Sequence, residues 1–288
     1  MAKHIVLCAD DYGQNPAISQ AIIHLLQKKR LSAVSCMTNS VHWMQYGMEL
    51  APYKNQVDLG LHVNFTEGAP LSSLFIKHHG QRLLPLPRVL IKAYLRQWDK
   101  RAILAEIHAQ LDQFIHVMKQ PPDFIDGHQH IHQLPVIRDA IFDLYEKRLR
   151  ACGSYLRCVY NNTFFQIMSE GYFKKLIIQF LGASQFKSEM IQRCIAHNTS
   201  FAGIYDFHQK NKHYADRFPV FLKQIQDGGL IMCHPGMHRG DEQDVSSESD
   251  TIHQARYQEY AYFLSDLFLQ HCEAQQVRIG RLNRLSGL

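Results

Sequence analysis

Four short apolar runs in this 288-residue chain each break directly into a polar turn rich in potential metal ligands. The segments are IVLCADDYG, LGLHVNFTEG, DFIDGHQHIHQLP and LIMCHPG. Apolar runs of about 4–8 residues bounded by turn residues read as buried strands. Between them lie stretches with helical spacing. The clearest is 101–118, where Ile103, Leu104, Ile107, Leu111, Phe114, Ile115 and Met118 share one face. Strands alternating with helices over this length predict a parallel α/β sheet or barrel. In such folds, chemistry collects just past the carboxyl ends of the strands. Asp10, Asp11, His62, His128 and His234 all occupy such positions, and they are expected to converge on one site.

The pattern predicts strands at 4–8, 31–37, 57–65, 123–127, 154–160, 228–234 and 277–282. Residues 202–207 read as a short strand or a turn. Helices are predicted at 16–29, 42–52, 101–118, 135–149, 214–227 and 250–274. Asn15 is placed to cap the first of these, with Pro16 at its first position. Residues 1–288 read as one domain with two excursions, 66–100 and 161–195. The second excursion is long, apolar and follows a strand end, so it is expected to cover the site.

The net charge of +5 is spread along the chain, densest at 147–150 and 278–284, which read as solvated faces rather than a nucleic-acid surface. The seven cysteines are odd in number and scattered without a CxxC pair. They point to a reducing, cytoplasmic setting rather than a disulfide framework. The first apolar run is too short for a signal-peptide core, and none reaches the roughly 18 residues of a membrane span. Walker, GxGxxG, GxSxG and HExxH patterns are absent, which removes the usual support for nucleotide binding or serine-hydrolase chemistry.

Each cluster also has a plain structural reading. Adjacent carboxylates on an extended strand face opposite sides. Asp10 and Asp11 therefore share a site only if the strand ends there, and Gly13 makes a turn at that point. A lone His62 is an ordinary core histidine until other groups join it. His128, His130 and His132 stand at period two and, if extended, face one side. Three same-face histidines are hard to bury without polar partners. A ligand histidine needs its second ring nitrogen held by an acceptor, a part that suits Asp126. A carboxylate, two histidines and an open position suit a hydrolytic metal centre, beside which an unligated carboxylate takes a proton from water.

Taken together, ADDYG (9–13), GLHVNFTEG (60–68), DGHQHIHQLP (126–135) and CHPG (233–236) resemble the YdjC-like carbohydrate deacetylase family, in the family's order. That family includes chitooligosaccharide and hopanoid-associated deacetylases. HNTSFAGIYDF (197–207) is similar to a family segment near the substrate. The resemblance implies a distorted seven-stranded (β/α) barrel of the polysaccharide-deacetylase type, commonly dimeric. It implies one divalent metal ion, magnesium or zinc, on Asp11, His62 and His128, with Asp10 as general base. His234 is then the general acid or the group that stabilises the tetrahedral intermediate. Asp126, His130 and His132 stand behind the ligands or touch substrate. The family's usual Phe after the paired aspartates is Tyr12 here. The implied reaction removes an N-acetyl group from an amino-sugar-containing carbohydrate or glycolipid. A metal-dependent phosphoesterase and a non-catalytic carbohydrate-binding module are the alternatives. Asp10 argues against the second, since binding alone needs no base.

Overall fold

Apolar runs this short, separated by helices, bury both faces only by lying side by side in parallel. A computed structural model describes residues 2–160, 179–207, 213–237 and 250–282 and shows that arrangement. The strands are β1 (Lys3–Tyr12), β2 (Ala33–Cys36), β3 (Asp58–Val63), β4 (Phe124–Gly127), β5 (Tyr155–Leu156), β6 (Phe201–Ala202), β7 (Gly229–Cys233) and β8 (Val277–Ile279). All pair in parallel, in the order β5-β4-β3-β2-β1-β7-β6, with β8 beside the start of β1. The ends of this path approach each other, because Leu156 bridges His197 just before β6. The result is the expected seven-stranded distorted barrel, with β8 added.

The helices are α1 (Pro16–Gln27), α2 (Trp43–Leu50), α3 (Ser73–His79), α4 (Leu86–Tyr94), α5 (Lys100–Met118), α6 (Ile137–Leu144), α7 (Ser184–Gln192), α8 (Tyr214–Gln224), α9 (His253–Leu264) and α10 (Asp266–Ala274). The side chain of Asn15 caps α1 by accepting from Ile18 N at 2.9 Å, and Pro16 opens the helix, as its sequence predicts. None of the described helices is long and apolar enough to cross a membrane.

Three predicted elements differ. The strand expected at 154–160 stops at Leu156, because Cys158 N donates to the Asn198 side chain instead of extending the ladder. The helix expected over 250–274 breaks at extended Ser265, which ends α9 and starts α10. The excursion at 66–100 forms α3 and α4, and its entry is tied to α5 through Glu106, which accepts from Leu71 N and Ser72 N. Of the apolar cover expected at 161–195, residues 161–178 lie outside the described residues.

Strand alternation sorts the core into two layers. Ile5, Leu7 and Ala9 of β1 join the large core between sheet and helices. Val6 and Cys8 join a smaller cluster with Ala33, Phe124, Tyr155, Phe201, Leu230 and Met232 inside the barrel. Two residues further along β1, β2, β4, β5 and β7 come Asp10, Ser35, Asp126, Arg157 and His234. The same period carries β3 from Gly60 to His62. A polar layer thus lies above an apolar floor at the carboxyl end of the barrel.

Candidate active site

The paired aspartates share this layer through a bulge rather than a strand end. The pairing of β1 with β2 slips between Ala9 and Tyr12, and Asp11 takes a left-handed backbone with φ 67°. Aspartate is among the few non-glycine residues that tolerate this conformation. The extra residue turns Asp11 towards the same mouth as Asp10. The strand expected to end here continues to Tyr12.

His62 is in register with Asp126 on the neighbouring strand, and its Nδ1 lies 2.6 Å from Asp126 Oδ1. Ser35 Oγ donates to the same oxygen at 2.5 Å. His62 Nε2 is left facing Asp11 Oδ1 at 3.3 Å. His128, the first residue past β4, places Nδ1 2.8 Å from that oxygen and Nε2 3.0 Å from Glu67 Oε1. One carboxylate oxygen and two ring nitrogens therefore lie within 4.8 Å of one another, all on buried residues. Each ring is held at its far nitrogen by a carboxylate, as histidine ligands usually are.

Burial disfavours charge on both rings, yet Asp126 lifts His62 to about 9 and Asp11 lifts His128 to about 10. Against the same burial, Arg256 and then His128 hold Asp11 well below the usual carboxylate range. Positive charge is thus gathered around Asp11 Oδ1. A divalent cation fits there once the rings release their protons. Asp10, His62 and Asp126 form a second close group. Its negative charge is already matched, since Arg157 spans Asp10 at 2.6 Å and Asp126 at 2.7 Å.

Arg157 is fully buried and donates Nη1 and Nη2 to the two oxygens of Asp10, each at 2.6 Å. This fork fixes the direction of the carboxylate. Across the mouth, His234 Nε2 stands 4.0 Å from Asp10 Oδ2. Burial pushes His234 down to about 4, against the pull of Asp11 and Asp10. Its backbone N–H donates to Glu259 Oε2, while Tyr205 donates to Glu259 Oε1 at 2.5 Å. The ring of Phe207 meets the His234 ring edge-on at 5.2 Å.

The histidine run departs from the extended reading. Residues His128–Gln133 form a tight turn in which Gln129 and His130 have φ of 52° and 60°. The period-two alignment is therefore lost, and the three rings do not share one face. His132 is fully buried, with Nε2 3.2 Å from Arg157 O and its ring against Phe186, and burial takes it down to about 4. His130 packs edge-on against Phe201 at 5.8 Å, and burial also lowers its pKa. Only His128 of the run joins the group around Asp11. Asp126 holds His62, not a histidine of its own segment.

Sequence reasoning missed Arg157, Arg256, Glu259 and the part played by Glu67. Arg157 left a signal, since it interrupts the apolar strand SYLRCVY. Arg256 and Glu259 stand next to Ala255, Tyr262 and Phe263 on the buried side of α9. Glu67 lies within GLHVNFTEG, where nothing local reveals its target.

A family model described as YdjC-like protein matches residues 4–274. Among curated proteins, the chain is similar to the carbohydrate deacetylase of Mus musculus, with 28% identity over 52% of this chain and 48% of the relative. It is similar to the carbohydrate deacetylase of Danio rerio, with 30% identity over 47% and 44%. It is similar to the chitooligosaccharide deacetylase of Serratia marcescens, with 28% identity over 54% and 60%. The chain thus spans about half the length of the curated relatives it matches. Among solved structures, a protein of Enterococcus faecalis V583 described as a candidate cellobiose-phosphate cleavage protein matches with a TM-score of 0.73. It covers 99% of both chains at 14% identity, a likeness of fold.

Proposed function

Since the chain belongs to the YdjC-like protein family, we propose that it is a metal-dependent hydrolase that removes the N-acetyl group from an amino-sugar-containing carbohydrate or glycolipid and releases acetate. The observation that carries this reading is the convergence of Asp11 Oδ1, His62 Nε2 and His128 Nδ1 beside a second carboxylate, Asp10, held by Arg157. The names of the similar curated proteins support the substrate class. Asp11, His62 and His128 would hold the ion. Bound there, a divalent cation would polarise the amide carbonyl and make water acidic. Asp10 takes the proton of the attacking water, with Arg157 keeping its oxygens in place. The proton that Asp10 has taken then reaches the departing amine through His234, whose ring, neutral at pH 7 because of its burial, accepts it on Nε2 and releases it. The two imidazoles favour zinc by affinity order, while the family resemblance favours magnesium.

We further read residues 1–288 as one such domain, working as a cytoplasmic homodimer without nucleic-acid partners or stable membrane insertion. The exposed Val41, Met44 and Met48 at α2 support a partner copy, which light scattering would test.

The decisive experiment screens N-acetylated sugars, chitooligosaccharides and N-acetylglucosaminyl lipids for acetate and amine release, with metal content measured on the same sample. Phosphate release from phosphorylated sugars without acetate release would replace the reading with a phosphoesterase. Saturable sugar binding without turnover would replace it with a binding module.

A further inference from the structure

We infer that Arg256 decides how Asp11 meets a metal ion, by reserving one carboxylate oxygen for itself and leaving the other for the ion. The inference rests on the metal-centre reading of Asp11, His62 and His128. Arg256 lies on α9 and is 4% exposed. Its Nη2 donates to Asp11 Oδ2 at 2.8 Å and to Gln14 Oε1 at 3.2 Å, and its Nε donates to Asp250 Oδ2 at 2.7 Å. The opposite oxygen, Asp11 Oδ1, is the one that faces His128 Nδ1 and His62 Nε2. The carboxylate is therefore divided between two neighbours.

An unrestrained aspartate can bind a cation with one oxygen or with both. One whose second oxygen sits on a guanidinium binds with one. That mode leaves a coordination position for water or substrate, which two-oxygen binding would fill. A guanidinium suits this task better than an ammonium, because its rigid planar fork holds three acceptors at fixed angles.

The CHPG turn is shaped around the same arginine. Gly236 N donates to Arg256 O at 3.1 Å. A Cβ at position 236 would stand 3.1 Å from Arg256 Cβ and 3.3 Å from its Cδ. Gly236 is not among the glycines with positive φ, so passage of the Arg256 stem, not a left-handed backbone, explains glycine there. The last residue of one sequence motif thus makes room for the residue that orients the first.

The test titrates metal-free protein with cobalt(II), following heat and visible absorption. Wild type should bind a single ion per chain, and Asp11→Asn should lose it. Arg256→Met should weaken binding by about 10–100-fold, the usual cost of losing a group that orients a ligand. It should also change the cobalt bands, because Asp11 becomes free to use both oxygens. Arg256→Lys should not restore either property. Asp250→Asn and Gly236→Ala should shift both in the same direction by smaller amounts. Melting curves establish that each variant is folded; if Arg256→Met is not, the two milder variants decide. Unchanged or tighter binding with unchanged bands would overturn the inference, reducing Arg256 to a counter-charge that the cation replaces. Absence of binding by wild type would instead sink the metal-centre reading, and the inference with it.

Discussion

Asp10 and Asp11 are neighbours in sequence with different surroundings, so they should fail differently. Asp10 is held by Arg157, whereas Asp11 is shared by two imidazoles and Arg256. Asp10→Asn should keep the metal and lose about 10²–10⁴-fold in rate, the range for a lost general base. Asp11→Asn should lose metal affinity as well. Metal analysis beside kinetics checks this, and the opposite pattern would exchange the two roles. Glu259 supplies a pH test. Burial raises it from the ordinary 4.5 to about 7. The folded chain therefore holds this proton more tightly than the unfolded chain does. Stability should fall as pH rises from about 4.5 to about 7, and the loss is complete above that. The cost is on the order of 3 kcal/mol. Glu259→Gln removes the titration while Gln can still accept from His234 N. Denaturant unfolding at pH 5 and pH 8 should show the variant gaining on wild type at the higher pH. An equal difference at both would remove Glu259 ionisation from the account.

Among the elements, β6 is only two residues long, and it leads through Gly203 to Tyr205 and Phe207 at the His234 side of the site. Gly203 has φ 105°, and a Cβ there would fall 2.2 Å from Met232 O in β7. Neither backbone can yield without breaking the β6–β7 pairing. Gly203→Ala should destabilise the protein by about 3 kcal/mol or more. It should lower the rate more than the metal affinity, because the metal group lies on β1, β3 and the turn after β4. An unchanged melting temperature would show that β6 is free to shift. Helical elements with caps in the sequence were legible to within a few residues, as α1 shows. The break at Ser265 was not, because the apolar spacing of 250–274 runs through it.

For the whole molecule, the barrel is closed below by charge as well as by apolar packing. Arg281, just past β8, donates to Asp58 Oδ1 at 2.6 Å and to Asp123 Oδ1 at 2.8 Å, tying the starts of β3 and β4 together. Asp58 is fully buried and also accepts from Leu282 N at 2.8 Å. Arg281→Met would leave that carboxylate without its cation. Removing one partner of a buried pair costs roughly 3 kcal/mol at the lower end of the usual range, which suits the partial exposure of Arg281. Unfolding titrations should show this loss while cobalt(II) affinity stays at the wild-type value, since the site lies at the other end of the barrel. A loss of metal binding equal to the loss of stability would show that the two ends are coupled.

Most strand runs, the first helix and the positions of His62, His128 and His234 near strand ends were determined by the sequence alone, whereas Asp10 and Asp11 reach the site by a bulge within β1. Periodicity, caps and turn residues act over a few positions, so they are readable in one dimension. What the chain could not disclose is which charges meet. Asp10 finds Arg157 across 147 positions, and Asp11 finds Arg256 across 245. A charged residue in an apolar segment announces that it needs a partner, but only closure of the barrel chooses one. The same holds for the histidine run. Its period-two spacing is a local fact, yet the left-handed turn at Gln129 and His130 takes His132 to Phe186 and Arg157 O. Partners distant in sequence, which only the folded chain brings together, decide where that ring goes.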